Sequence, residues 1–113
     1  MMEFRQKSLE QRCAESTKIL SKYRWRIPII MGTDSTMILD KYKYLVQDNL
    51  TIAQFVFVLR KRMNIDSTKA IFIFVNNTIP PSSASIRTVY DSYSDIDGFL
   101  YFSIRGENTF GNF

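Results

Sequence analysis

The sequence predicts an α+β fold. Three observations carry that expectation. Short apolar stretches of strand length fall at residues 27–31, 42–46, 71–75 and 99–104. A helical repeat with a wide apolar face separates the second from the third. Residues 3–22 contain neither Gly nor Pro and carry apolar residues at helical spacing.

The N-terminal segment is expected to form two short helices, or one kinked helix, packed on a sheet. Its stripe is Leu9, Cys13, Ser16 and Leu20, with Ile19 alongside. Lys7, Glu10, Arg12, Glu15 and Lys18 are expected on the wet faces. Ile27-Pro28-Ile29-Ile30-Met31 reads as a strand. Pro28 has no N–H to donate, which places this strand near a sheet edge or leaves one side locally unpaired. After a loop from Gly32 to Asp40, Tyr42-Lys43-Tyr44-Leu45-Val46 is a strand of mixed polarity, suited to an edge, and close enough to the first to form a hairpin.

Thr51 opens the strongest helix. Thr51 and Gln54 form a capping-box pattern, and Ile52, Phe55, Val58, Leu59 and Met63 recur at three and four residues. Arg60-Lys61-Arg62 loads the last turn with positive charge, which suits the helix dipole. Ile71 to Val75 is apolar on both faces and reads as a central strand. Asn76-Asn77 is a turn, Thr78-Ile79 a brief continuation, and Pro80-Pro81 ends it. A short helix opened by Ser82 or Ser83 carries Ile86, Val89, Tyr90 and Tyr93. Asp95 to Gly98 turns the chain into a last strand, Phe99 to Ile104. Hairpin, crossover helix, further strands, short helix and final strand make a ubiquitin-like β-grasp with two extra N-terminal helices packed on the sheet. The chain divides into a helical extension (1–23), a β-grasp core (24–105) and a flexible tail (106–113).

The 113 residues allow one domain. Histidine is absent and Cys13 is the single cysteine. That excludes a Ser-His-Asp triad, a Cys-His dyad, a His/Cys zinc site and a disulfide scaffold, so no enzyme and no cofactor is expected. No signal peptide or membrane span is read, since the longest apolar runs fall far below the roughly 20 residues a spanning helix needs. Charge is uneven. Residues 1–62 hold 12 Lys/Arg against six Asp/Glu, and residues 63–113 hold three against five. A basic half fits acidic partners or an anionic surface; a solvated surface accounts for it equally.

Asp97-Gly98-Phe99-Leu100-Tyr101-Phe102 partly mimics an RNA-stacking strand, but Asp97 stands where a basic residue belongs and Leu100 where a small one does. A strand buried on both faces accounts for it, and nucleic acid is not expected. Asp95 and Asp97 fit a loop or capping role, and Cys13 a small buried hydrophobe.

Several stretches together resemble the autophagy ubiquitin-like modifiers of the GABARAP type. They are Arg26-Ile27-Pro28-Ile29-Ile30, Lys43-Tyr44-Leu45-Val46, Leu50 to Val56, Leu59-Arg60-Lys61-Arg62, Lys69 to Asn77, Ile79-Pro80-Pro81, Asp97 to Tyr101 and Gly106 to Gly111. The resemblance implies a modifier cut after Gly111 by a cysteine protease, removing Asn112-Phe113. It is then activated by an ATP-using enzyme, passed to a conjugating enzyme, and joined to the amine of phosphatidylethanolamine. A cytoplasmic protein would thereby become an autophagosomal-membrane one.

It also implies a peptide site, where motif-bearing autophagy receptors add an aromatic-x-x-aliphatic strand to the edge of the second strand. The implied aromatic pocket is Glu15, Ile19, Pro28, Ile30, Lys43, Leu45 and Phe99. The implied aliphatic pocket is Tyr44, Val46, Leu50, Phe55, Val58 and Arg62. Lys41 and Lys43 would meet acidic flanks of the motif. Core packing explains Ile19, Ile30, Leu45 and Phe55 equally; Lys43, in an otherwise apolar strand, it does not. Phe72 and Phe74 match a face that contacts the processing and activating enzymes, and a buried pair would alternate in the same way.

The chain departs from the family pattern at several points. Lys7-Ser8-Leu9-Glu10 replaces an aromatic-Pro-Phe segment, so the family's N-terminal helix docking is not carried over. Tyr42 replaces a basic residue, Gln47 replaces a proline, and Trp25 is unusual. An alternative of a different class is a non-conjugated peptide-binding or cytoskeletal scaffold of the same fold that uses its basic half.

Overall fold

The computed structural model of the chain describes residues 2–33 and 37–106. The elements are α1 (Met2–Arg5), α2 (Leu9–Lys22), β1 (Arg26–Thr33), β2 (Lys43–Gln47), α3 (Ile52–Arg62), β3 (Ile71–Phe74), α4 (Ile86–Tyr93) and β4 (Leu100–Gly106). One mixed sheet has the order β2-β1-β4-β3. β1 pairs antiparallel with β2 and parallel with β4, and β3 pairs antiparallel with β4. This is the α+β, ubiquitin-like arrangement, with α1 and α2 added on one face.

Each face of the sheet has its own core. On one side Ile27, Ile29, Met31, Leu100, Phe102, Ile104, Ile71 and Ile73 meet Ile52, Phe55 and Leu59 of α3 and Ile86 and Val89 of α4. On the other side Ile30 and Phe99 meet Phe4 of α1, with Ile19, Tyr42 and Tyr101 at the margin. Fully burying such a side chain contributes about 1.5–3 kcal/mol. A four-residue helix does not hold itself in water. Phe4, 1% exposed and stacked edge-on to Phe99 at 4.9 Å, is what holds α1 in place. The N-terminal helix therefore docks here, through Phe4 rather than through the segment that differs from the family pattern. α2 starts at Ser8, whose side chain completes a capping box with Gln11.

The Thr51/Gln54 capping box of α3 forms as expected. Asn76 and Asn77 both take positive φ, 49° and 63°, which a two-residue hairpin turn requires at both central positions. Three expectations are corrected. β3 is an edge strand, and the central strands are β1 and β4. An apolar run reports that both faces of a strand are covered and says nothing of its two backbone edges. Here Arg105 lies over the Phe74 ring at 4.1 Å and covers the second face. Thr78-Ile79 makes only a single bridge, Val75 to Thr78. α4 is capped by Ser85, which accepts from the Thr88 N–H, rather than by Ser82 or Ser83. The expectation for Pro28 holds in the form of a locally unpaired side, although β1 itself lies inside the sheet. The Met31 N–H donates to the Tyr42 carbonyl, so alternation turns residue 28 toward β4. The β4 ladder begins one residue later, at Ile29 with Leu100, and the missing donor costs no bond.

The turn before β4 carries a buried polar cluster. The Asp97 side chain is 0% exposed and pairs with Arg12 Nη1 at 2.8 Å. Asp97 Oδ2 also accepts from the Tyr101 hydroxyl, and Oδ1 from the Phe99 N–H at 2.9 Å. Ser16 donates to the Asp97 carbonyl at 2.6 Å. Arg12 is thus drawn off the wet face expected of it, and the capping role expected of Asp97 is joined by a buried ion pair. Next to it, Gly98 has φ +88°, and a Cβ there would sit 2.3 Å from Ser16 Oγ. Any side chain at 98 therefore meets both backbone strain and collision.

Two measurements check this cluster. Chemical denaturation of Asp97→Ala should show a loss of about 3–5 kcal/mol, because Arg12 is left partly buried without its partner. Gly98→Ala should lower the unfolding midpoint by an amount equivalent to about 2 kcal/mol or more.

Candidate peptide-binding edge

The geometry of β2 follows from the hydrogen-bond parity set at Met31 and Tyr42. Residues 42, 44 and 46 direct their backbone groups to β1. Lys43 and Leu45 direct theirs outward, on an edge with no neighbouring strand among the described residues. The two faces of that edge differ. Lys43 and Leu45 lie opposite Ile30 and Pro28, on the α2 face. Tyr44 and Val46 lie opposite Ile29 and Ile27, on the α3 face, where Tyr44 meets the Phe55 ring edge-on at 6.1 Å.

The two residue sets expected from sequence therefore separate onto opposite sides of one open edge. Glu15, Ile19, Pro28, Ile30, Lys43, Leu45 and Phe99 gather around the α2 side. Tyr44, Val46, Leu50 and Phe55 join the α3-side core. Val58 is half exposed, and Arg62 forms an ion pair with Asp40 at 3.3 Å. Lys41 lies over the Tyr44 ring at 5.1 Å.

The α2 side carries the charges. Lys43 Nζ lies 2.8 Å from Glu15 Oε2 and 5.0 Å from the Phe4 ring centroid, and Lys7 approaches the other Glu15 oxygen at 3.5 Å. Burial pushes the Glu15 carboxyl up, but bonds and charge from Lys43 and Lys7 outweigh it, and its pKa sits below the ordinary 4.5. On the α3 side the Tyr44 hydroxyl is buried, with Arg62 nearby but no well-aligned hydrogen-bond partner among the described residues. Burial raises its pKa, and the nearby Arg62 charge opposes the rise. Burial and the bond to Asp97 push the Tyr101 phenol up to about 12. It therefore keeps its proton at neutral pH and serves as a donor.

Phe4 was not among the expected site residues, yet it packs on Ile30 and Phe99, two residues of the expected aromatic-pocket set. Its sequence signal is one aromatic in a polar N-terminal segment. Phe72 and Phe74 share the face turned away from the α3 core, Phe74 buried and Phe72 partly so. Gly111 lies outside the described residues. Among the described residues no group of three or more His, Cys, Asp or Glu is placed to hold a metal, and no helix is long and apolar enough to cross a membrane.

Fold and site define a ubiquitin-like domain with an open strand edge between two side-chain clusters. The chain matches the family described as "Autophagy protein Atg8 ubiquitin like" over residues 11–111. It is 51% identical over 106 residues to autophagy-related protein 8b of Arabidopsis thaliana, covering 91% of this chain and 87% of that one. It is 49% identical over 106 residues to autophagy-related protein 8 of Kluyveromyces lactis, covering 91% and 86%. Among solved structures it is similar to Trypanosoma brucei ATG8, with TM-score 0.84, 38% identity and 90% coverage of each chain. It is also similar to Plasmodium falciparum Atg8 in complex with a Plasmodium falciparum Atg3 peptide, with TM-score 0.77, 34% identity and 87% and 89% coverage. The chain belongs to the Atg8 family of autophagy ubiquitin-like proteins.

The Glu15 pair makes stability depend on pH with a definite sign. A folded-state pKa below the unfolded value means the contribution is complete above about pH 5 and is lost as pH falls through the folded value. Thermal unfolding of Glu15→Gln should give a lower midpoint than the parent at neutral pH. The difference should shrink as pH falls below the ordinary carboxylate range and vanish once Glu15 is protonated in the folded state.

Proposed function

We propose that this protein is an autophagy modifier conjugated through Gly111 to phosphatidylethanolamine, and that it recruits receptors carrying an aromatic-x-x-aliphatic motif at the β2 edge. A cysteine protease removes Asn112 and Phe113 and exposes the Gly111 carboxylate. An activating and then a conjugating enzyme carry that carboxylate to the lipid amine, where it forms an amide. The chain acts as the substrate of these enzymes and supplies a fold, a groove and a glycine. Conjugation brings a domain without a spanning helix to the autophagosomal membrane. The Atg3 peptide bound to the Plasmodium relative supports a conjugating-enzyme partner. Phe72 and Phe74, which share one face of β3, are proposed to meet the processing and activating enzymes.

The observation that carries the peptide reading is the placement of two clusters on opposite faces of one unpaired edge. Side chains of an extended peptide alternate between faces, so residues three apart point to opposite sides. An aromatic at the first position then enters the Glu15/Lys43 side, and an aliphatic three residues on enters the Tyr44/Val58 side. The outward N–H and C=O groups of Lys43 and Leu45 hold the peptide backbone. Lys41 and Lys43 attract acidic residues beside the motif.

Titration of a synthetic peptide with the i, i+3 spacing should give a Kd of micromolar order, about −8 kcal/mol. The same residues at i, i+2 spacing fall on one face, and binding should weaken at least about tenfold. Equal affinity for the two spacings would refute the edge reading. In cells, Gly111→Ala should show only the unconjugated protein. A lipid-shifted band from that variant would refute conjugation at this residue, and the lack of any shifted band from the parent would favour the non-conjugated scaffold.

A further inference from the structure

We propose that the turn joining α2 to β1 docks on the headgroup region of an anionic lipid bilayer, as a contact separate from both the β2 edge and Gly111. The turn is Tyr23-Arg24-Trp25, exposed at all three positions. Trp25, the chain's single tryptophan, is 68% exposed, and Tyr23 is 38% exposed. Rings of that size normally bury most of their apolar surface, so leaving two of them in water on one turn calls for a partner.

The charges around the turn identify the partner's sign. Lys18 and Lys22 stand four residues apart on α2, and Arg24 and Arg26 follow. Among the described residues no carboxylate comes within salt-bridge distance of any of the four. The nearby Asp48, whose N–H donates to the Trp25 carbonyl, is itself paired with Arg87 at 3.1 Å. Cations and rings share one patch: Arg24 lies 6.0 Å from the Trp25 ring centroid, and Lys22 5.3 Å from that of Tyr23. Unpaired like charges at this spacing repel one another in the free protein, and an anionic surface converts that repulsion into attraction.

A flat lipid surface fits better than a peptide strand. An added strand needs free backbone groups along an edge. Here the Tyr23 N–H bonds to Ile19, the Tyr23 carbonyl accepts from Arg26, and the Trp25 carbonyl accepts from Asp48. What the turn offers is side chains. Tyr and Trp, each an apolar ring with one polar tip, beside Lys and Arg form the composition of an interfacial anchor. A shallow cleft of about 530 Å³ lined by Trp25, Arg26, Gln47, Asp48 and Asn49 gives room for a headgroup, its one carboxylate, Asp48, being paired with Arg87. The turn also precedes β1, whereas Gly106 ends the parallel β4, so the patch lies at the opposite end of the sheet from Gly106. The contact therefore stands whether or not Gly111 is conjugated.

The single Trp makes the test direct. The unconjugated full-length protein is titrated with vesicles of phosphatidylcholine, with and without phosphatidylserine, while Trp emission is followed. A blue shift is expected only with phosphatidylserine present, and it should reverse at high salt. Lys22→Gln and Arg24→Gln, both at exposed positions, should each weaken vesicle binding about fivefold. Trp25→Ala should lose most co-sedimentation with the same vesicles while its circular dichroism stays unchanged. No shift on phosphatidylserine vesicles, or an equal shift on phosphatidylcholine alone, would overturn the proposal. A larger shift with polyglutamate than with phosphatidylserine vesicles would also overturn it, in favour of an acidic protein surface.

Discussion

The buried carboxylate of Asp97 is the constraint on which the rest of this structure depends. An ionised group taken out of water must be surrounded by donors. Arg12, Tyr101 and the Phe99 N–H supply them from a helix, a strand and the turn itself. Satisfying Asp97 therefore fixes α2 against the start of β4. The Ser16 bond to the Asp97 carbonyl adds a second tie, and it brings the helix so close that only glycine fits at position 98. The clamp is polar and specific, where the core on the α3 side of the sheet is mainly apolar.

Binding geometry follows from that clamp. With α2 held down, Glu15 and Ile19 stand over β1 and β2, and Glu15 reaches Lys43 across the sheet. Phe4 then closes the far side of the same cluster against Phe99 and Ile30. The opposite face is built by α3, whose capping box and apolar face need no help from the N-terminal helices. Strand β2 lies between two independently supported walls with its outer edge open. Under the proposed function, such an edge would read both the spacing and the chemistry of a peptide, because the period of a strand assigns its side chains alternately to the two walls.

The surface divides its work by charge. Lys41 and Lys43 border the peptide edge, and Lys22, Arg24 and Arg26 surround an exposed indole at the end of the sheet remote from Gly106. Glu15 and Asp48 neutralise neighbours at specific points, so the basic half of the chain is a set of local patches rather than a uniform field.

Periodicity in the sequence by itself determined the element types, the faces of the strands, the cap of α3 and the asparagine turn, because each is set by residues a few positions apart. The two residue sets proposed for the peptide site came from the resemblance, and the strand register places Tyr44 and Val46 on one face and Lys43 and Leu45 on the other. Tertiary structure alone decided which strands are central. Side-chain alternation reports faces, whereas strand order is a matter of backbone edges, so β3 read as interior and stands outside. It alone decided that Phe4 docks and that Asp97 is a buried ion-pair partner, since both depend on groups some 80 to 95 residues away in sequence. The start of α4 likewise shifted to Ser85 because the Ile86 N–H bonds to Leu50 across the fold. Local sequence encodes local geometry, and contacts that join distant segments exist only once the chain has closed on itself.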